Sequence, residues 1–265
     1  MPTAADVWAS GEAYEPYVGR WSRLVGREFL AWLDVPPGRA WLDVGCGTGA
    51  LTSVILTDAV PARVEAVDPA LPYVRFAEGH VRDPRAVFIN ADARALPQPT
   101  QSIDAAVSAL ALNFIPDPAV AAAEMTRVTA SGGVVAAYVW DYAGEMQLMR
   151  RFWDAAAALD QHAATLDEAR RFPLCHPAAL ESLFRGARLQ NVESRAIDVP
   201  TRFADFDDYW RPFLGGQGPA PTYAMALTAE RRGALRERIR ASLPVAADGS
   251  IDLIARAWAV RGRRV

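Results

Sequence analysis

The 265-residue chain contains no lysine; all 28 of its basic residues are arginine. That absence removes Schiff-base chemistry, the phosphate-holding lysine of a P-loop and the Tyr-x-x-x-Lys pair of short-chain dehydrogenases. Cysteine is scarce as well. Cys46 and Cys175 alone build neither a disulfide framework nor a multi-cysteine zinc site. No apolar run approaches the roughly 18–20 residues that a membrane helix needs. The opening Met1-Pro2-Thr3-Ala4-Ala5-Asp6 lacks a basic stretch followed by an apolar one, so no secretory leader is expected. Positive charge is not in excess, since the formal net charge is −3, which argues against a dedicated nucleic-acid binder. The expected compartment is the cytoplasm, and neither nucleic acid nor a membrane is an expected partner.

What remains is the composition of a globular protein, 51% hydrophobic and 22% charged, long enough for one large α/β domain. A strand-then-helix rhythm runs through its first half. Ala40–Val44, Val64–Asp68, Ala86–Ile89, Asp104–Ser108 and Val134–Val139 are short apolar runs of the kind buried in a parallel sheet. Helical patterns fall near 49–58, 70–82 and 117–128, the last opened by Pro116-Asp117-Pro118 with Asp117 as N-cap. Ser131-Gly132-Gly133 is expected to turn the chain into the fifth strand. Beyond residue 141 we expect a long helix over 144–162, another over 177–185 and a sixth strand over 192–199. A mostly helical stretch over 203–241 and a seventh strand over 251–260, entered through a turn at 247–250, complete the chain. Alternating strands and helices imply a doubly wound parallel sheet.

The sharpest signal is Asp43-Val44-Gly45-Cys46-Gly47-Thr48-Gly49-Ala50, a strand running into glycines and then a helix. Backbone N–H groups and a helix N-terminus then face whatever sits at the strand end. Asp68 closes the second strand, where an acid meets ribose hydroxyls, and Asp92 follows the third. Gly45-x-Gly47-x-x-Ala50 also fits a dinucleotide fingerprint. Asp43 decides between the two ligands. A carboxylate two residues before the first glycine repels a pyrophosphate by roughly a few kcal/mol and attracts an ammonium group. S-adenosylmethionine carries that ammonium, a ribose and an adenine, and no phosphate.

These motifs resemble the class I, seven-stranded S-adenosylmethionine-dependent methyltransferases, and within them the small-molecule group related to ubiquinone and menaquinone biosynthesis. Asp43–Gly49, Asp68-Pro69, Ala91-Asp92-Ala93 and Ser102–Ser108 carry the resemblance, over about residues 38–140. It implies a Rossmann-like sheet of seven strands with the last antiparallel, plus helical cover elements. By position, Gly45, Gly47 and Gly49 would line the methionine and ribose portion, with Asp43 near the amino group. Asp68 would take the ribose hydroxyls and Pro69 or its neighbour would pack on adenine. Asp92 would bind the adenine amino group beside the Ala93 N–H, with Leu110 near the methionine tail. Tyr14, Tyr17, Arg20 and Trp21 resemble an aromatic lid over the cofactor.

The expected organisation is one domain over 1–265: an N-terminal helical lid (1–35), a cofactor-binding half (36–141), helical insertions around strand six that cover substrate (142–250) and a final strand (251–265). Asn113, after the fourth strand, and Trp140, ending the fifth, are candidate acceptor contacts. Asn113-Phe114-Ile115-Pro116 departs from the Asn/Asp-Pro-Pro-aromatic pattern of amino-group nucleic-acid methyltransferases, which favours a small-molecule acceptor. His162 and His176 are candidate bases in the covering region, and 215–221 is a candidate lid loop. A cofactor-binding protein without catalysis and a nicotinamide-dependent oxidoreductase are the competing functions. The acceptor, its reacting atom and the oligomeric state are not encoded in any of these motifs.

Overall fold

The computed structural model describes residues 20–215 and 218–265, so Tyr14, Tyr17 and the middle of the 215–221 loop lie outside the described residues. Seven strands form one sheet in the order β3-β2-β1-β4-β5-β7-β6. The chain clusters into two compact units. One comprises Ser22–Val139, Leu174–Ile197 and Ala257–Val265; the other comprises Trp140–Pro173 and Asp198–Arg256, with Trp21. Segments 174–197 and 257–265 thus cluster with 22–139.

In the first unit, β1 (Ala40–Val44) is buried along its whole length. It lies between β2 (Arg63–Asp68) and β4 (Ile103–Ala109), parallel to both, with Leu42 opposite Glu65 on one side and Ala106 on the other. β3 (Ala86–Asn90) adds outside β2, again parallel. Strand order therefore reverses between β1 and β4, and the crevice beyond the carboxyl ends of strands at such a reversal is where ligands bind in open α/β sheets.

α1 (Arg20–Leu33) precedes β1, α2 (Ala50–Val54) follows it, and α3 (Leu71–His80) follows β2. α4 (Pro118–Val128) starts as its sequence predicts, with the Asp117 carboxylate accepting from the Val120 N–H at 3.2 Å. Its buried Ala121, Ala122, Met125 and Val128 share one face. That face packs with Leu180 and Phe184 of α7 (Pro177–Gly186) in the main core cluster.

β5 (Thr129–Trp140) starts five residues earlier than expected, because Ser131-Gly132-Gly133 is not a turn. It is a bulge inside the strand. Ile103 and Ala105 of β4 face Thr129 and Val134, so a step of two residues along β4 matches a step of five along β5. Gly132 adopts φ +76°, and a Cβ on Gly133 would lie 2.7 Å from the Asp104 carbonyl oxygen. β7 (Ile251–Arg263) runs against β5: Gly132 donates to the Arg264 carbonyl and Arg264 to the Gly133 carbonyl, and in the other unit Asp141 donates to Arg256. Numbers rise along one strand as they fall along the other, so the last strand is antiparallel.

In the second unit the helix expected over 144–162 stops at Leu159 (α5, Gln147–Leu159), followed by the one-turn α6 (Glu168–Arg171). Asp160 breaks it by taking an extended backbone and turning its carboxylate to the His162 N–H at 2.9 Å. The aromatics of α8 (Phe206–Trp210) and the following turn belong to the core of this unit. Phe213 stacks on Phe152 with centroids 4.5 Å apart, and the Tyr209 hydroxyl donates to the Leu148 carbonyl at 2.9 Å. α9 (Pro219–Ala226) and α10 (Ala229–Ser242) complete this unit. The chain enters β7 through the expected turn, with Ala246 donating to Ser250 and Gly249 at φ +84°. β6 (Gln190–Phe203) is longer at both ends than its apolar pattern suggests. Among the described residues no helix is long and apolar enough to cross a membrane.

Candidate cofactor site

All of the first unit's predicted contacts gather at the carboxyl ends of β1, β2, β3 and β4. Gly45 and Cys46 both donate to the Val67 carbonyl, at 2.8 and 3.0 Å, which pins the turn after β1 to β2. Gly45, Gly47 and Gly49 all have positive φ, 74°, 51° and 82°. Their reasons differ. A Cβ on Gly45 would lie 2.4 Å from the Ala111 Cβ, so this glycine is needed for packing. Among the described residues, a Cβ on Gly47 would meet nothing within 4 Å, so its backbone borders space that they leave open.

Asp68 holds that turn in place. One carboxylate oxygen accepts from the Gly47 N–H at 3.0 Å and the other from the Ala70 N–H at 2.8 Å, beyond Pro69. Burial raises its pKa, and these two hydrogen bonds pull it back. Tyr73, in the first turn of α3, has its phenol pushed up to about 12 by burial and then by the Asp68 charge. This aromatic was not among the predicted contacts. The signal for it was a bulky ring five residues past the strand-end acid.

Asp43 is fully buried. Its Oδ2 accepts from the Thr52 hydroxyl at 2.7 Å, while its Oδ1 has no partner among the described residues. Burial pushes the carboxyl up to about 7, against the pull of Thr52 and with a smaller push from Asp68. The charge that the sequence assigns to Asp43 is thus only partly developed near neutrality, and a nearby cation would complete it. Thr52 went unnoticed in the sequence, although a hydroxyl one turn into the helix after a glycine turn is the group that reaches back to a strand-end acid.

Asp92 is half-exposed and its carboxylate is gripped by Arg94, with Nε at 3.0 and 3.1 Å and Nη2 at 2.5 Å, which holds it below the usual carboxylate range. Ala93 beside it is buried. Leu110 follows β4 in the left-handed region, φ +60°, with its N–H donating to the Tyr138 carbonyl at 2.8 Å. Such strained backbone concentrates at functional sites. Asn113 lies one short turn further; its Nδ2 is 3.5 Å from the Cys175 Sγ and its Oδ1 is buried without a partner.

Three predicted residues fall in the other unit. Arg20 opens α1, Trp21 is buried with its ring edge-on to Phe203 at 5.3 Å, and Trp140 is 2% exposed with an unpartnered indole N–H. His162 and His176 are exposed, and His80, also exposed, stacks on Phe76. No histidine joins the cluster at the strand ends.

A sheet with this strand order, its glycine turn at the reversal and acids closing successive strands defines the class I methyltransferase fold. Residues 42–137 match the methyltransferase-domain family. It is 34% identical over 195 residues to the 2-methyl-6-phytyl-1,4-hydroquinone methyltransferase of a Synechocystis species, covering 69% of this chain and 57% of that protein. It is 39% identical over 106 residues to the demethylmenaquinone methyltransferase of Roseiflexus castenholzii, covering 39% of this chain and 44% of the other. The chain thus spans about half the length of these curated relatives. Among solved structures, the Haemonchus contortus phosphoethanolamine N-methyltransferase 2, in complex with phosphomonomethylethanolamine and S-adenosylhomocysteine, superposes with a TM-score of 0.59 at 15% identity. The match covers 96% of this chain and 56% of that one, and it speaks for the fold.

Proposed function

We propose that the protein transfers a methyl group from S-adenosylmethionine to a small-molecule acceptor. The observation that carries this is the buried Asp43 carboxyl, whose Oδ1 lacks any partner two residues before the glycine turn. A buried acid in that position calls for a cation and disfavours a diphosphate. The open space over Gly47 and the acid at the end of β2 fit the rest of the same cofactor. Asp43 would face its ammonium group, Asp68 its ribose, Pro69 and Tyr73 its adenine ring, Asp92 and Ala93 the adenine edge, and Leu110 its methionine tail. Tyr17, Arg20 and Trp21 belong to the proposal as elements of a cover.

Bound there, the cofactor supplies an electrophilic methyl group on a sulfonium. What the chain contributes is alignment and exclusion of water. Positioning of two reactants is worth roughly 7–11 kcal/mol of barrier, and a dry site strengthens every remaining electrostatic contact. Asn113, whose Oδ1 is unpaired among the described residues, and Trp140 are the proposed acceptor contacts. Both named relatives act on ring substrates of the quinone type, so hydroquinones head the acceptors to be tried. We take the whole chain as one catalytic domain working in the cytoplasm, without nucleic acid or membrane as partner.

Calorimetry with S-adenosylmethionine, S-adenosylhomocysteine and NAD tests the cofactor; tighter binding of NAD overturns the proposal. Formation of S-adenosylhomocysteine with a panel of hydroquinones, phenols and amines tests the transfer. Cofactor binding with no turnover on any acceptor would leave a binding protein in its place.

A further inference from the structure

The second unit contains a cavity of about 280 Å³ between the end of α5, the end of α9 and the start of α10. Leu159, Tyr223, Leu227 and Leu235 form its apolar lining, and Asp160 and Arg231 supply its charges. A cavity of about 150 Å³ holds a benzene, so this one is sized for a bicyclic ring system or its equivalent. Leu159 is 48% exposed at its edge, an apolar side chain left in water.

The walls are built rather than loose. Arg232 ties the turn between α9 and α10 together by donating to the Ala224 and Leu227 carbonyls, each at 3.0 Å. Asp160 is fixed by its bond to the His162 N–H. Tyr223 packs on Trp153 and Phe152, with ring centroids 5.7 and 6.2 Å away. Its phenol is pushed up, by burial first and then by Asp160, so it stays protonated and able to donate.

Along α10, Arg236 pairs with Asp207 and Glu237, and Arg240 with Glu237. Arg231, like Arg238 on the same helix, is unpaired among the described residues, and of the two only Arg231 lines the cavity, together with Asp160. It also sits in the first turn of its helix, where a cation faces the positive end of the helix dipole and an anion is favoured. A cationic fork at an apolar cavity is matched by a carboxylate on an apolar body. With Asp160 opposing it, the cavity as a whole is neutral, so a single negative charge suits it better than the double charge of a phosphate ester.

We propose that this cavity is a second ligand site, which takes a compact apolar monocarboxylate, with the carboxylate on Arg231 and the ring or chain among Leu159, Tyr223, Leu227 and Leu235. The site does not depend on methyl transfer. Its test is calorimetry on the full chain without cofactor, using 2-naphthoate, the neutral 2-naphthalenemethanol and 2-naphthyl phosphate as probes. The naphthoate is expected to bind at least tenfold more tightly than either of the others. Arg231→Gln, at an exposed position, is expected to lower naphthoate affinity tenfold or more while leaving the alcohol unchanged. Ala234→Trp, also at an exposed position on the cavity wall, is expected to abolish binding of all three. Neither variant is expected to alter S-adenosylmethionine affinity. Equal binding of acid and alcohol, preference for the phosphate, no effect of Arg231→Gln, absence of binding at millimolar naphthoate, or displacement of naphthoate by S-adenosylmethionine would each overturn the assignment.

Discussion

The Gly47 N–H donates to the Asp68 carboxylate across 3.0 Å, so the turn that leaves β1 is braced by the acid that closes β2. Removing Asp68 therefore removes both a cofactor contact and the support of the turn. Asp68→Ala is expected to lower S-adenosylmethionine affinity 100-fold or more by calorimetry. Asp68→Asn keeps the side-chain oxygen that can accept from Gly47 and is expected to lose less. Unchanged affinity in Asp68→Ala would take Asp68 out of the site.

The glycines on either side of Cys46 are expected to fail in different ways. Gly45→Ala forces a Cβ to within 2.4 Å of the Ala111 Cβ at positive φ, and is expected to cost about 1–3 kcal/mol of stability by denaturant titration. Pairing it with Ala111→Gly should return part of that loss. Gly47→Ala meets no atom of the described residues within 4 Å and is expected to keep most of the stability, while cofactor affinity is expected to fall sharply. A Gly47→Ala protein with normal affinity would count against a ligand in that space.

The signs for pH follow from burial. Asp43, raised from 3.8 to about 7 in the fold, binds its proton more tightly folded than unfolded, as does Glu168, raised to about 8, whose buried carboxyl accepts from the Trp153 indole N–H. Folded protein then holds more protons than unfolded protein between about pH 4 and 8, and stability falls as pH rises through that window. Asp43→Asn is expected to flatten the fall, by up to a few kcal/mol, since each pKa unit is worth about 1.4 kcal/mol. Binding of a cofactor ammonium should drive Asp43 to ionise. Calorimetry near pH 7 in buffers of different ionisation enthalpy is then expected to show proton release that Asp43→Asn abolishes.

Asp92 is already held by Arg94, so an adenine amino group would add to an existing pair instead of finding a free acid. Asp92→Ala is expected to weaken cofactor binding about tenfold, less than Asp68→Ala, and Arg94→Ala to change it only a few-fold. An effect of Asp92→Ala confined to the acceptor would move the residue to another role.

The parts of the site that sequence exposed are those whose cause is local. Asp43, the three glycines and Asp68 sit within one strand–turn–helix and the strand after it, and their spacing is dictated by backbone geometry alone. The Ala111 neighbour of Gly45 was hidden because its relation to the site is made by folding, not by position in a motif, whereas Thr52 lies in the same strand–turn–helix as Asp43 and its hydroxyl was the local signal. The packing of Phe206, Tyr209 and Phe213 is not legible for the same reason: an aromatic-rich segment gives no sign of which partner, Phe152 or a ligand, covers it. The bulge at Gly132 and Gly133 wore the composition of a turn, and only the register against β4 separates the two.

That bulge constrains how the protein can change. Insertions elsewhere between helices can be absorbed at the surface, whereas losing one residue from 130–133 would reverse the in-and-out alternation from Val134 to Trp140. Seven side chains would exchange faces at once, so lineages and engineers alike should find this short segment fixed in length even where its letters vary.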